Sequence, residues 1–400
     1  MSEPAKYKVV VQFNQFGPYH IARMNGASNY LDITGIEIFE ESAEYDWGQQ
    51  GKSSAQFNWI TLFAKKEKPD KNRIFRELQA LLDKIKPDAV AINGWSETSA
   101  FAALHWCLQN NIPAIAMSES TAWDEERSPY KEWIKKQLVS CFAAGLAGGT
   151  PHKEYLAELG IPAQKIFIGY DVIDNNYFMV RTTDARSNAE SLRAKYNLPT
   201  RYFLASNRFI PKKNLFRLLE AYRDYRQVTT AEPWSLVLLG DGSLRPALEN
   251  TIRDFGLSAY VKMPGFCQYD ELPVYYGLAK AFVHASTSEQ WGLVVNEAMA
   301  SGLPVIVSDK CGCAHDLVKN NQNGYTFNPY DAAELTKKMT NLAAAGTLAS
   351  EMGARSQSII SEFTPDTFGR GLQQAVQAAL KSSADSTFLH KQLIKLLSYK

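Results

Sequence analysis

The sequence predicts an α/β fold of two Rossmann-like, doubly wound domains, on three observations. Short apolar, β-branched runs alternate with segments of helical periodicity along most of the chain. At 400 residues the chain is too long for one compact core. Its most ordered stretch, residues 286–306 (STSEQWGLVVNEAMASGLPVI), follows an apolar run and reads as loop, helix and strand.

The bulk properties exclude several classes. With 45% hydrophobic and 21% charged residues the protein is of ordinary globular type, and a net charge of +1 gives no reason to expect nucleic acid as a partner. Residues 7–13 are a short strand-like run rather than a leader, and no window approaches about 18 consecutive apolar residues, so a cytoplasmic protein is expected. Cys107, Cys141, Cys267, Cys311 and Cys313 are scattered and odd in number, which makes no disulfide framework. Cys311 and Cys313 beside His315 have no second ligand cluster at zinc spacing; no metal and no cofactor are expected.

In the first half, KVVVQF (8–13) is a buried strand, followed by a loop through Gly17 to His20 and a helix from Ile21. Strand, glycine-containing loop and helix open a doubly wound domain, whose ligands lie at the carboxyl ends of the strands. Gly17, His20 and the nearby Arg23 are therefore expected to face a ligand cleft, although a histidine that only satisfies its own loop is an equal reading. Strands follow at 35–40, 57–63, 89–92 and 114–117, with a short one inside 145–149. Helices are expected at 72–85, 99–109 and 132–142, and another opens at Thr150 and Pro151. Ile74, Phe75, Leu78, Leu81, Leu82 and Ile85 supply the helical stripe of the first. Trp95 lies in the loop after strand 89–92, placed to stack on a sugar or apolar acceptor or, equally, to pack at a domain interface. Glu119 stands just past strand 114–117. Residues 45–54 carry no usable pattern, and 179–188 read as a linker, which makes 1–180 the first domain.

In the second half, strands at 202–205, 235–239, 261–263 and 281–284 alternate with helices at 189–196, 215–225, 244–255 and 272–278. Arg208 and Lys213 flank the loop at the first strand end. Two cations there are what a pyrophosphate needs, the arginine as a bidentate fork and the lysine as a point charge. Gly240 lets the backbone approach a nucleotide closely, or simply turns the chain. In the 286–306 stretch Ser286, Thr287 or Ser288 can cap a helix that Gly302 and Pro304 end. The amides of Trp291, Gly292 and Leu293 then lie in its first turn, where unpaired N–H groups and the dipole form an anion site. Glu289 and Glu297, one on either side, can accept hydrogen bonds from the hydroxyls of a sugar and a ribose.

The string E-x-W-G-L-x-x-x-E-A-M-A-x-G-x-P-V from Glu289 onward resembles the signature of the retaining family 4 glycosyltransferases of GT-B fold, the glycosyl transferases group 1, whose E-x7-E pair holds the donor. Arg208 to Asn214 resembles the family's G-R-x-x-x-x-K-N, with Asn207 in place of glycine, and Asp174 to Phe178 resembles the segment that closes its first domain. Asp316 replaces a family glutamate. Where the family carries a histidine after strand 114–117 this chain has none, and Glu119, or Asp124 with Arg127, stands in its place.

The resemblance implies a second domain, 189–365, that binds a nucleoside-diphosphate sugar. The main chain at Gly265 and Phe266 would meet the base, with Glu289 on the sugar and Glu297 on the ribose. A helix from 363–368 to 380 would cross back, so that 366–400 complete the first domain. The implied reaction is hexosyl transfer with retention, without a metal because no D-x-D stands at a strand end, Arg208, Lys213 and the helix end stabilising the leaving diphosphate. The acceptor would be a small molecule, a glycan or a lipid-linked acceptor. Residues 389–399, basic and amphipathic, allow a peripheral membrane contact or a packed terminal helix. A GT-B-like sugar nucleotide epimerase and a non-catalytic sugar-nucleotide-binding subunit are the alternatives.

Overall fold

The computed structural model describes residues 5–40, 52–65 and 67–381. The chain divides into two compact units, the described residues of Met1–Ala122, Glu126–Ile173 and Phe363–Lys400 in one, and Trp123–Glu125 with Asp174–Glu362 in the other. Residues 179–188, read from sequence as a linker, instead lie mostly in a helix, Asn175–Ser187, that belongs to the second unit. The Asp174 carboxylate caps it by accepting the Tyr177 N–H at 3.0 Å, and Phe178, Thr182 and Ala185 bury one narrow face. That stripe is too thin, among polar neighbours, to stand out as a period.

The first unit is built on seven strands: β1 (Lys8–Phe13), β2 (Asp32–Phe39), β3 (Asn58–Phe63), β4 (Ala89–Asn93), β5 (Ala114–Ser118), β6 (Ala144–Ala147) and β7 (Ile166–Ile168). Their order is β3-β2-β1-β4-β5-β6-β7, and every neighbouring pair is parallel. A parallel sheet is covered on both faces, which is why Val9, Val10 and Val11 are consecutive, apolar and fully buried. The helix Pro365–Leu380 returns to this unit as expected, placing Phe368, Leu372, Ala375 and Val376 against Val9, Val11 and Met117. Its first turn presses on the helix Pro18–Ser28 at Gly26, where a Cβ would stand 2.1 Å from the Pro365 carbonyl oxygen. The stretch 389–399 and residues 45–51 lie outside the described residues.

The second unit holds β8 (Tyr202–Ser206), β9 (Ser235–Leu239), β10 (Val261–Gly265), β11 (Ala281–His284), β12 (Val305–Ser308) and β13 (Gly324–Phe327). They are all parallel, in the order β10-β9-β8-β11-β12-β13. The last strand begins at a glycine read from sequence only as a turn: Gly324 (φ +157) hugs β12 so closely that a Cβ would meet the Val305 carbonyl oxygen at 1.9 Å. Strand order reverses between β8 and β11, and the carboxyl ends of strands at such a switch point are where open α/β sheets bind ligands. Among the described residues no helix is long and apolar enough to cross a membrane.

Candidate active site

The loops that leave β8 and β11 at this switch point are tied together by their backbones. After β8 the chain is pinned by the buried Phe209, whose N–H donates to the Asp241 carbonyl at 2.8 Å. A single 3-10 turn, Pro211–Lys213, ends at Asn214 in the left-handed conformation (φ +57), which asparagine tolerates better than most residues. The Asn214 carboxamide donates to the carbonyls of Ala285 (3.1 Å) and Pro329 (2.8 Å), and the Thr287 N–H donates to the Lys212 carbonyl at 2.8 Å.

This bracing brings Lys213 Nζ into an ion pair with Glu289 Oε2, in a setting where the two side chains keep 11% and 15% of their exposure. Arg208 lies exposed on the same loop. His284, the last residue of β11 and wholly buried, sits with Nε2 3.2 Å from Glu289 Oε2, and the Ser286 hydroxyl donates to that oxygen at 3.3 Å. Burial alone would push the Glu289 carboxyl up, but the His284 hydrogen bond and the Lys213 charge outweigh it and hold the group well below the usual carboxylate range. Burial, with the Lys213 cation assisting, lowers the His284 pKa against the pull of Glu289. The site is thus an ionised carboxylate, a lysine cation and a neutral imidazole.

The helix beside it differs from expectation. It spans Leu293–Ala300 and is entered through Gly292 (φ +104), not through Ser286, Thr287 or Ser288. Glu289 is held instead in a parallel bridge to Cys311: its N–H donates to the Lys310 carbonyl at 3.3 Å and its carbonyl accepts from Gly312 at 3.0 Å. The Ser288 hydroxyl, free of a capping role, donates to the Asp124 carbonyl at 3.1 Å. Trp291 and Gly292 therefore precede the first turn and Leu293 opens it. The Trp291 indole is an anchor, 1% exposed and donating to Asn296 Oδ1 at 2.8 Å. Glu297, the fifth helical residue, is 1% exposed and accepts a 2.6 Å hydrogen bond from the Tyr276 hydroxyl.

Two other glycines of the predicted donor side are required by the backbone. A Cβ on Gly240 (φ +121) would stand 1.9 Å from the Asn207 carbonyl oxygen, so the close approach made here is to that carbonyl, and the Gly240 N–H is spent on the Gly265 carbonyl at 2.9 Å. Gly265 (φ +101) ends β10 and leaves Phe266 62% exposed. Asn207, where the sequence departs from the family glycine, has neither carboxamide atom hydrogen-bonded among the described residues.

In the first unit Gly17 caps the helix Pro18–Ser28, and its N–H donates to His20 Nδ1 at 3.0 Å. The part-buried His20 ring lies 4.4 Å from that of Phe13, and burial together with the nearby Arg23 cation pulls its pKa down to about 3. Arg23, expected to face a cleft, is internal instead: 2% exposed, 3.2 Å from Asp171 and donating to the Val172 carbonyl at 3.1 Å. Trp95 is likewise no loop platform, being 9% exposed and packed in the unit's core. Glu119 stands half-buried just past β5.

Sequence reasoning missed His284, Ser286 and Tyr276 as functional neighbours. A histidine closing a buried apolar strand five residues before Glu289 was the available signal for the first. Tyr276 carried none, since its helix reads as ordinary core. Among the described residues no group of three or more His, Cys, Asp or Glu side chains could hold a metal ion.

Residues 188–358 match the family described as glycosyl transferases group 1. This part of the chain is a glycosyl transferases group 1 domain. Lys213, Glu289, His284 and Glu297 all lie within it, and so does the switch point between β8 and β11. Among curated proteins the chain is 32% identical over 137 residues to the alpha-monoglucosyldiacylglycerol synthase of Acholeplasma laidlawii, covering 34% of this chain and 33% of that protein. It is 23% identical over 231 residues to the alpha-D-kanosaminyltransferase of Streptomyces kanamyceticus, covering 57% and 58%. The chain thus spans a third to just over half the length of these relatives. Among solved structures it superposes on Anabaena Alr3699/HepE in complex with UDP and glucose with a TM-score of 0.72 at 17% identity, covering 92% of this chain and 98% of that one. Sucrose-phosphate synthase from Thermosynechococcus elongatus gives 0.69 at 18%, covering 92% and 98%. With the group 1 domain on one of its two parallel-sheet units, the fold is GT-B.

Proposed function

We propose that this chain is a glycosyltransferase that moves a hexosyl group from a nucleoside-diphosphate sugar to an acceptor hydroxyl, with retention at the anomeric carbon and without a metal ion. The observation that carries the reading is the Lys213–Glu289 pair at the carboxyl ends of β8 and β11, inside the group 1 domain. In the transfer the bond from the anomeric carbon to the diphosphate oxygen breaks and its electron pair leaves with the diphosphate, while the acceptor hydroxyl oxygen bonds to that carbon and its proton passes to the departing diphosphate. Charge growing on the leaving group needs counter-charge placed in advance. Lys213 and Arg208 supply it, with the N–H groups that open the helix Leu293–Ala300.

Glu289, ionised and held from behind, accepts hydrogen bonds from the hydroxyls of the sugar. Glu297 serves the ribose and Phe266 lies beside the base. On the acceptor side Gly17, His20 and Glu119 are the candidates, and the acceptor is a small molecule, a glycan or lipid-linked. The likeness to relatives acting in glycolipid and kanosamine chemistry, by their names, supports the class of reaction.

The test is a panel of nucleotide sugars scored by protection against thermal unfolding, since a ligand at 100 times its Kd stabilises by about 2.7 kcal/mol. Incubation with the best donor and release of the nucleoside diphosphate follow, with the product anomer read by NMR. No stabilisation by any donor removes the reading; binding without turnover reduces it to a sugar-nucleotide-binding protein.

A further inference from the structure

The three groups around Glu289 are not equivalent. Lys213 reaches it on a flexible stem from a 3-10 turn, and under the proposed function it also answers to the diphosphate. Ser286 belongs to the loop after β11, and its hydroxyl can direct its proton to Glu289 or to another acceptor. His284 cannot turn away. It is the last residue of β11, 0% exposed, paired in register with Val307 of β12, and its ring lies 6.2 Å from that of Phe282 at an interplanar angle of 14°.

The proton on this ring can be assigned from its partners. Nε2 lies 3.2 Å from Glu289 Oε2 and 3.3 Å from Ser286 Oγ, whereas Nδ1 has no partner among the described residues. An ionised carboxylate only accepts, so Nε2 carries the hydrogen and Ser286 turns its own proton to the carboxylate. A second proton, on Nδ1, would be an unpaired donor inside the sheet, and the ring stays neutral. Nε2 also lies beside the turn that starts the helix, 3.6 Å from where a Cβ on Gly292 would stand.

We propose that His284 is a positioning residue for the transfer: its Nε2–H is the fixed hydrogen bond that keeps the Glu289 carboxylate aimed at the donor sugar when the diphosphate draws Lys213 away. This rests on the reading of Glu289 as the sugar-contacting carboxylate. The role requires a donor at the height of Nε2, not a ring. Glutamine extends its carboxamide N–H2 to about that height; asparagine stops near Nδ1; phenylalanine keeps a ring and offers nothing.

The experiment measures release of nucleoside diphosphate from the best donor of the panel, beside stabilisation by UDP, GDP and ADP and a thermal melt, for the full chain and its variants. His284→Phe is expected to lower turnover about 10- to 100-fold, what one hydrogen bond to a charged group carries, while stabilisation by the bare diphosphate is unchanged. His284→Gln restores most of the turnover and His284→Asn does not. An active wild type with undiminished turnover in His284→Phe overturns the proposal and leaves the transferase reading standing. A wild type that releases no diphosphate from any donor overturns both. If the phenylalanine variant does not fold, the Gln and Asn variants decide, and equal turnover in those two rules the role out.

Discussion

The hydroxyl of Tyr276 donates a 2.6 Å hydrogen bond to the carboxylate of Glu297, and both side chains are buried in the group 1 domain. The bond crosses from the helix Leu272–Leu278 to the helix Leu293–Ala300. Beside this carboxylate, and chiefly through burial, the Tyr276 hydroxyl is pushed well above its ordinary pKa and stays protonated. A hydrogen bond to a charged group is worth about 1.5–3 kcal/mol. Tyr276→Phe should therefore lower the unfolding free energy by that amount, seen as a lower urea midpoint at constant slope. A midpoint equal to wild type would mean that other neighbours carry Glu297 alone.

Glu297→Gln retains size and one acceptor oxygen but loses charge. If Glu297 holds the ribose, affinity for the bare nucleoside diphosphate falls by about 1.5–3 kcal/mol. Glu289→Gln, at the sugar end, should spare that affinity and lower turnover. Calorimetric titration of both variants checks this, and an equal loss of diphosphate affinity in the two contradicts the division of roles.

His20 makes stability depend on pH with a definite sign. Unfolded, its pKa is about 6.5; folded, it is pulled down to about 3. Between these values the unfolded chain binds the extra proton, so the contribution is complete above pH 6.5 and is lost as pH falls toward 3. Protonation would also remove the acceptor that Nδ1 offers the Gly17 N–H. His20→Gln, whose amide oxygen can accept the same bond, should lose less stability than wild type between pH 6.5 and 5, by at most about 2 kcal/mol. Parallel denaturation curves for the two proteins at both pH values would show that His20 is not the group.

Most of the fold was legible because parallel strands covered on both faces are written as apolar runs: Val9 to Val11 and Ala89 to Ile92 could be little else. The placing of Lys213 and Glu289 in the loops that follow two strands was legible as well, and the two meet in an ion pair. What failed was whatever depends on a neighbour distant in sequence. The helix start moved from the serines to Gly292 because the backbone of Glu289 is held by Lys310 and Gly312, some twenty residues on. Trp95 and Arg23 look available in a loop and a first helical turn, and only the packing around them turns both inward. His284 reads as one more strand residue until its ring is seen against Glu289.

Metal independence is a prediction from the ligand set. A hard divalent cation wants several oxygen ligands at once, and among the described residues no group of three or more His, Cys, Asp or Glu side chains could hold one. Diphosphate release should persist in EDTA at its untreated rate. Loss of activity in chelator, with recovery on adding Mg²⁺ or Mn²⁺, would refute it.

The sharpest demand falls on Arg208 and Lys213. If the transfer uses no metal, counter-charge for the leaving diphosphate has to come from the protein, and it must act more strongly as the bond breaks than before. Interactions of that kind raise kcat, whereas those equal in both states only lower KM. Losing one preorganised group typically costs a factor of about 10² to 10³. Arg208→Ala and Lys213→Ala should each lower kcat by that order at saturating donor. Lys213→Ala has a second consequence, because Glu289 then loses this cation and, among the described residues, is left with His284 and Ser286 as side-chain partners. Lys213→Arg should recover part of the rate: the charge returns, but a planar fork does not fit a place shaped for a compact ammonium. A thermal melt of each variant separates lost catalysis from lost fold. A wild-type kcat with only a raised donor KM would place both cations in ground-state binding and leave the departing diphosphate without its proposed counter-charge.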